Sequence, residues 1–178
     1  MAALRQGPNI RKFLCKSKLS NINRNPRRES HRNGPGWKKC GKNCPVCPLA
    51  IEPTKTLISP ITNFSLQIQT PVSCDSENII YMWRCKKTNC QLKNNNWYIG
   101  LSKRKFKTRI SEHRDYVKSE NLNEPSGEHF NKPGHSIHDF EAMVLEQVRE
   151  KDPYILRARE SFYIKKFDTF HKGLNQET

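Results

Sequence analysis

Long apolar runs are missing from this chain of 178 residues, and none approaches the length a transmembrane helix needs. The first residues hold no apolar stretch of the signal-peptide kind. Acid is scarce: 17 Asp and Glu stand against 32 Lys and Arg, a formal net charge of +15. Apolar residues make up only 34% of the chain, which excludes a large core and leaves room for one ordinary domain with an appendage. No internal repeat is visible. What is present follows from these absences. A positive surplus of this size repels itself unless a polyanion is near, so nucleic acid is the expected partner, with an anionic membrane surface the weaker competitor. The expected setting is reducing and intracellular, nuclear or cytoplasmic. There the seven cysteines read as metal ligands or thiols rather than disulfides.

Two helical patterns carry charge where apolar side chains belong. In YILRARESFYIKKF (Tyr154 to Phe167), Leu156, Tyr163, Ile164 and Phe167 fall on one arc at 100° per residue, and Glu160 sits in its middle. A carboxylate there is either a buried ion pair with an arginine or a metal-binding glutamate. In KRKFKTRISEHRDYVKS, Phe106, Ile110 and Val117 form a stripe whose remaining slot is His113, with Arg109 one turn earlier.

The organisation divides into three parts. Residues 1–39 hold eleven Lys and Arg against one acid, Glu29, and read as a mostly disordered basic arm, either nucleic-acid-binding or a linker. Residues 40–75 are bounded by cysteine: Cys40, Cys44 and Cys47 are tightly spaced, Cys74 follows a stretch of short strands, and four thiolates suit a tetrahedral zinc; independent thiols are the alternative. Residues 76–178 read as an α+β unit with a small three-stranded antiparallel sheet flanked by helices. NIIYMWRC and WYIGL are paired strands joined by the polar, turn-rich KKTNCQLKNNN. After the Phe106 helix come a Gly/Pro/His-rich loop, EPSGEHFNKPGHS, and a third strand, FEAMVLEQV. Asp152 and Pro153 supply an N-cap and first position for the last helix.

Ile79–Tyr81 and Tyr98–Gly100 on paired strands resemble the signature of the GIY-YIG nucleases, with isoleucine in place of the first glycine. Later residues keep the family's order: Arg109 matches its arginine, His113 a histidine found in many members, Glu160 its metal-binding glutamate and Asn175 its late asparagine. A closer resemblance is to the endonuclease domain of Penelope-like retroelements, which carry two cysteines between the signature strands and two histidines downstream. Here these are Cys85, Cys90, His129 and His135, with His138 as a possible substitute for the last. The Cys40, Cys44, Cys47, Cys74 segment is similar to the same family's linker, and GPNIRKFLCKSKL to the piece that trails its reverse transcriptase. Cys15 is left over as a plain thiol. The chain then corresponds to a C-terminal fragment of a reverse transcriptase-endonuclease polyprotein.

The resemblance implies a phosphodiester hydrolase that nicks target DNA for retroelement integration. Glu160 would hold one Mg²⁺ or Mn²⁺, Arg109 would contact the scissile phosphate, and Tyr81 or Tyr98 would position the attacking water or act as its base. His113 would hydrogen-bond a tyrosine, and Asn175 would brace the tyrosines or the glutamate. Lys103, Arg104, Lys105 and Lys107 read as a phosphate-tracking face. Two structural zinc ions are expected, and the partners are DNA and a reverse transcriptase or the element's RNA. The alternatives are an inactive zinc-containing nucleic-acid-binding module and a repair-type, structure-specific nuclease of the same fold.

Overall fold

The computed structural model of the protein describes residues 34–41, 43–93, 96–149 and 152–175. Most of the basic arm, including Cys15 and the piece from Asn9 to Leu19, lies outside the described residues. Within them the architecture is mixed α+β, with four helices and three small sheets.

Four strands of three residues each come first: β1 (Gly36–Lys38), β2 (Thr56–Ile58), β3 (Ser65–Gln67) and β4 (Pro71–Ser73). β2 and β3 form an antiparallel hairpin, and β1 pairs parallel with β4. Strands this short are not stable alone; they lean on the rest of the fold. Trp37 is fully buried, its indole 5.1 Å from the ring of Phe106, and the Ile51 N–H donates to the Ala142 carbonyl at 3.0 Å. Residues 34–39, expected to belong to the arm, therefore fold with the segment that follows.

The central sheet holds β5 (Ile79–Cys85), β6 (Trp97–Ser102) and β7 (Phe140–Gln147), antiparallel in the order β6-β5-β7. Every residue of β5 from Ile79 to Trp83 is fully buried, as a middle strand covered on both faces must be. Alternation sorts its neighbours. Trp83 packs against Phe130 and His113, whereas Trp97 of β6 stacks on Phe167 at 5.6 Å. The β5–β7 register slips between Ile80 and Tyr81: Ile80 faces Glu146, and Tyr81 faces Val144. A bulge of this kind re-aims the side chain beside it, and here that side chain is Tyr81.

The helices are α1 (Thr88–Leu92), α2 (Phe106–Lys118), α3 (Pro125–Phe130) and α4 (Pro153–Phe167). α2 buries Phe106, Ile110, His113 and Val117, so the apolar stripe and its histidine lie on one buried face. α4 starts where Asp152 accepts from the Tyr154 N–H at 2.8 Å with Pro153 at the first position, and it ends at Asp168, whose φ of 53° lies in the left-handed region. Two expectations are corrected. The strand connection contains α1, and the Gly/Pro/His-rich stretch contains α3; neither is a plain loop. Both helices are too short to form by propensity, and each carries a metal-ligand candidate that ties it down.

Candidate functional site

Gly100 lies opposite Tyr81 across the β5–β6 ladder, and Tyr98 lies opposite Trp83. A Cβ on Gly100 would sit 2.8 Å from the Tyr81 hydroxyl and 2.8 Å from Cε1 of Tyr98. Glycine is thus required for two phenols to share this spot.

From α2, two side chains reach the same phenol. His113 Nε2 lies 2.8 Å from Tyr81 Oη, and Arg109 Nε donates to that oxygen at 3.0 Å. Arg109 Nη1 donates to Glu112 at 3.0 Å, and Arg104 donates to the same carboxylate at 2.7 Å. Tyr81 and His113 have no exposed surface. Burial, with the Arg109 charge adding to it, pushes His113 down to about 3, so the ring is neutral. Burial also drives the Tyr81 pKa up, the neighbouring Tyr98 adding to the effect against the pull of Arg109. Tyr98 is only partly buried. Its pKa is likewise raised by burial.

Glu160 comes from α4 and is partly buried. Burial raises its pKa, while a main-chain hydrogen bond from Leu101 and the charges of Arg157 and Arg109 pull it back. Its charge in turn acts on both Tyr81 and Tyr98. Among the described residues it takes part in no ion pair. The arginine beside it, Arg159, pairs with Glu146 of β7 at 2.6 Å instead. Glu160 therefore feels the charges of Arg157 and Arg109 without a direct ion pair to either among the described residues.

Asn175 reaches the strand that carries Tyr98 through that strand's main chain. Its Oδ1 accepts from the Ile99 N–H at 3.0 Å and its Nδ2 donates to the Ile99 carbonyl at 2.7 Å. It clamps the edge strand at the residue between Tyr98 and Gly100. The basic cluster is also less uniform than its sequence implies. Arg104 is held by Glu112 and Lys107 by Asp75 at 2.7 Å, while Lys103 and Lys105 are exposed at the entry to α2.

Two groups of metal-ligand side chains assemble, and in each the ligand atoms lie within 4.8 Å of one another. The first is Cys40, Cys44, Cys47 and Cys74. Cys47 Sγ is 3.8 Å from both Cys40 Sγ and Cys74 Sγ, the edge expected of a tetrahedron with metal–sulfur bonds of about 2.3 Å. This cluster is a set able to hold a structural metal such as zinc. The second group is Cys85, Cys90, His129 and His135. It draws together the end of β5, α1, α3 and the turn beyond. Cys90 Sγ lies 3.7 Å from His129 Nε2 and 3.0 Å from His135 Nε2. Burial, helped by the nearby His135, brings His129 down to about 4, which leaves its ring neutral as a ligand must be. His138 stands outside the cluster, exposed on the short turn Ile137–Asp139.

Two further side chains, Glu112 and Ser126, take part in the site. Glu112, three residues after Arg109, was legible as a helical i,i+3 partner. Ser126, fully buried on α3 with Oγ 3.0 Å from His113 Nδ1, left no signal, because only the tertiary fold brings the two together. No helix among the described residues is long and apolar enough to cross a membrane. No protein-family model, no curated protein and no solved structure matches the chain.

Proposed function

We propose that this chain is a metal-dependent DNA endonuclease of the GIY-YIG type, related to the endonuclease domains of Penelope-like retroelements, and that it nicks DNA. One observation carries the reading. Tyr81, Arg109 and His113, drawn from a strand and a helix, meet in one hydrogen-bonded group beside Tyr98, and the Glu160 carboxylate, which makes no ion pair among the described residues, exerts its charge on both phenols. The four-cysteine set and the Cys/His set add support for the retroelement type over a repair-type nuclease.

The roles follow from exposure and hydrogen-bonding capacity. Glu160 would hold a hard divalent cation, Mg²⁺ or Mn²⁺, which when bound would polarise the scissile phosphate and help the leaving oxygen. Arg109 spends Nε on Tyr81 and Nη1 on Glu112, so its Nη2 is the part of the fork offered to a phosphate oxygen. Tyr98, partly open to solvent, is the phenol that orients the attacking water. The buried Tyr81 holds Arg109 in place. Lys103 and Lys105 track the backbone on either side. The nick leaves a 3′ end from which an associated reverse transcriptase would prime.

The test is conversion of supercoiled plasmid to the open circle by zinc-loaded protein with and without Mg²⁺. Cation-dependent nicking that disappears in Glu160→Ala, with DNA binding retained, supports the endonuclease. Binding without nicking under every cation tried favours the inactive zinc module, a reading to which Ile79, in place of the signature's first glycine, lends weight.

A further inference from the structure

The hydroxyl of Ser126 touches nothing that any substrate would meet, yet it sits at the end of a buried chain of polar atoms that leads to Arg109. Ser126 Oγ is 3.0 Å from His113 Nδ1; His113 Nε2 is 2.8 Å from Tyr81 Oη; and Tyr81 Oη accepts from Arg109 Nε at 3.0 Å. Ser126, His113 and Tyr81 are all fully buried. Each hydrogen in the chain therefore needs an acceptor within it.

Only two polarities are open to a neutral imidazole. Suppose first that Nε2 carries the proton. It then donates to Tyr81 Oη, which already accepts from Arg109, and the phenol's own hydrogen is left without an acceptor among the described residues. A buried unpaired donor costs about 1–3 kcal/mol. Suppose instead that Nδ1 carries the proton. It donates to Ser126 Oγ, and the serine hydroxyl passes its hydrogen to the main-chain carbonyl of His113 at 3.5 Å. Nε2 is then a bare acceptor for the Tyr81 hydroxyl, and every hydrogen has a partner. The Tyr81 hydrogen points inward to the histidine, and its lone pair faces Arg109.

We propose that Ser126 is a positioning residue: it holds His113 in the Nδ1-protonated tautomer, which turns the Tyr81 lone pair toward Arg109 and so fixes the guanidinium. This deepens the endonuclease reading and rests on it only where rates are concerned. The same short helix carries His129 one turn after Ser126, so the helix that presents a zinc ligand also sets the polarity of the chain ending at the phosphate-binding arginine.

The experiment is nitrogen-15 NMR of the full-length, zinc-loaded chain, with the His113 signals assigned by their loss in His113→Gln. The wild type is expected to show the Nδ1–H signature and a slowly exchanging Arg109 Nε–H. In Ser126→Ala the His113 signals should shift to a mixture of tautomers and the Arg109 Nε–H exchange should quicken, with zinc content unchanged. Nicking should fall roughly tenfold to a hundredfold, as when the hydrogen-bond partner of an active-site ligand is lost. Ser126→Thr, which keeps the hydroxyl, should restore both NMR signatures. An Nε2–H signature in the wild type overturns the proposal even if no variant folds, and so does a Ser126→Ala chain that keeps a pure Nδ1–H signal. If the NMR behaves as expected and the wild type nicks no DNA under any cation, the positioning role is supported and the endonuclease reading falls.

Discussion

Arg109 Nε donates to Tyr81 Oη at 3.0 Å, and this one bond ties the fourth residue of α2 to the middle strand of the sheet. The phenol is fully buried, so its oxygen cannot turn to water for another donor. The guanidinium is consequently held at a fixed angle, with Glu112 gripping its other side. A lysine offers a point charge and no planar fork, so it would satisfy neither grip while reaching the phosphate. Arg109→Lys is expected to lose about 10²–10³-fold in nicking rate, the range seen when one preorganised donor is removed from a transition state. Single-turnover plasmid nicking at saturating protein measures it; a lysine variant with near wild-type rate would remove Arg109 from the chemistry.

Gly100 permits the pair of phenols, and the space it leaves is already full. Alanine there would place a methyl 2.8 Å from the Tyr81 hydroxyl and the same distance from a Tyr98 ring carbon. One of the rings must move, and strain in a packed core typically costs about 1–3 kcal/mol. Gly100→Ala should lower stability by that amount in urea unfolding and should also slow nicking, because Tyr81 carries Arg109 with it. Unchanged stability would mean that the rings shift freely and that the site is softer than its packing implies.

The elements that could be read from the chain were those whose local signals agreed with the tertiary result. The stripe Phe106, Ile110, Val117 and the Asp152–Pro153 start are such signals, and α2 and α4 lie where they point. Arg109, His113 and Glu160 stood out because an ionisable group on an apolar arc violates the same pattern. What stayed hidden depends on partners far along the chain. α1 and α3 are helices of five and six residues in polar, Pro- and Gly-containing stretches, and nothing in their own composition would hold them. Trp37 looked like part of a disordered arm, yet it is buried against Phe106 from α2. Asn175 stands at the family-like position near the end of the chain, but its attachment to the Ile99 backbone rather than to a side chain has no sequence signature.

In the proposed cation-binding role, Glu160 should weigh against stability. Its pKa is raised in the fold, first by burial. A group raised in this way favours the folded state most when protonated, and that benefit is lost as pH rises through the raised value. Glu160→Gln removes the burial cost of the charge. Its melting temperature should exceed that of the wild type at neutral pH, and the gap should close as pH falls into the ordinary carboxylate range. Mg²⁺ should raise the melting temperature of the wild type alone, and nicking should vanish in the variant. A glutamine variant that melts lower than the wild type at neutral pH would indicate that the carboxylate is a structural group with a partner it needs.

The four-cysteine cluster and the Cys/His cluster should differ in what their loss does. Elemental analysis of the intact chain is expected to give two zincs, and Cys85→Ser or Cys40→Ser should each leave one. Structural zinc supplies binding free energy on the order of 10 kcal/mol to small folded units, so either loss should lower the melting temperature. Function separates them. The Cys85 set holds α1 and α3, and α3 carries Ser126 against His113; losing that metal should release the polar chain behind Arg109 and abolish nicking. The Cys40 set anchors the segment before the central sheet and meets the start of α2 where the Lys107 N–H donates to the Cys74 carbonyl at 2.9 Å. Its loss should weaken DNA binding more than the rate of the bound complex. Nicking rates at saturating protein, compared with affinities from electrophoretic shift, read the two effects apart. Equal damage to both quantities by both substitutions would mean that neither metal has a separate task and that each only keeps the chain folded.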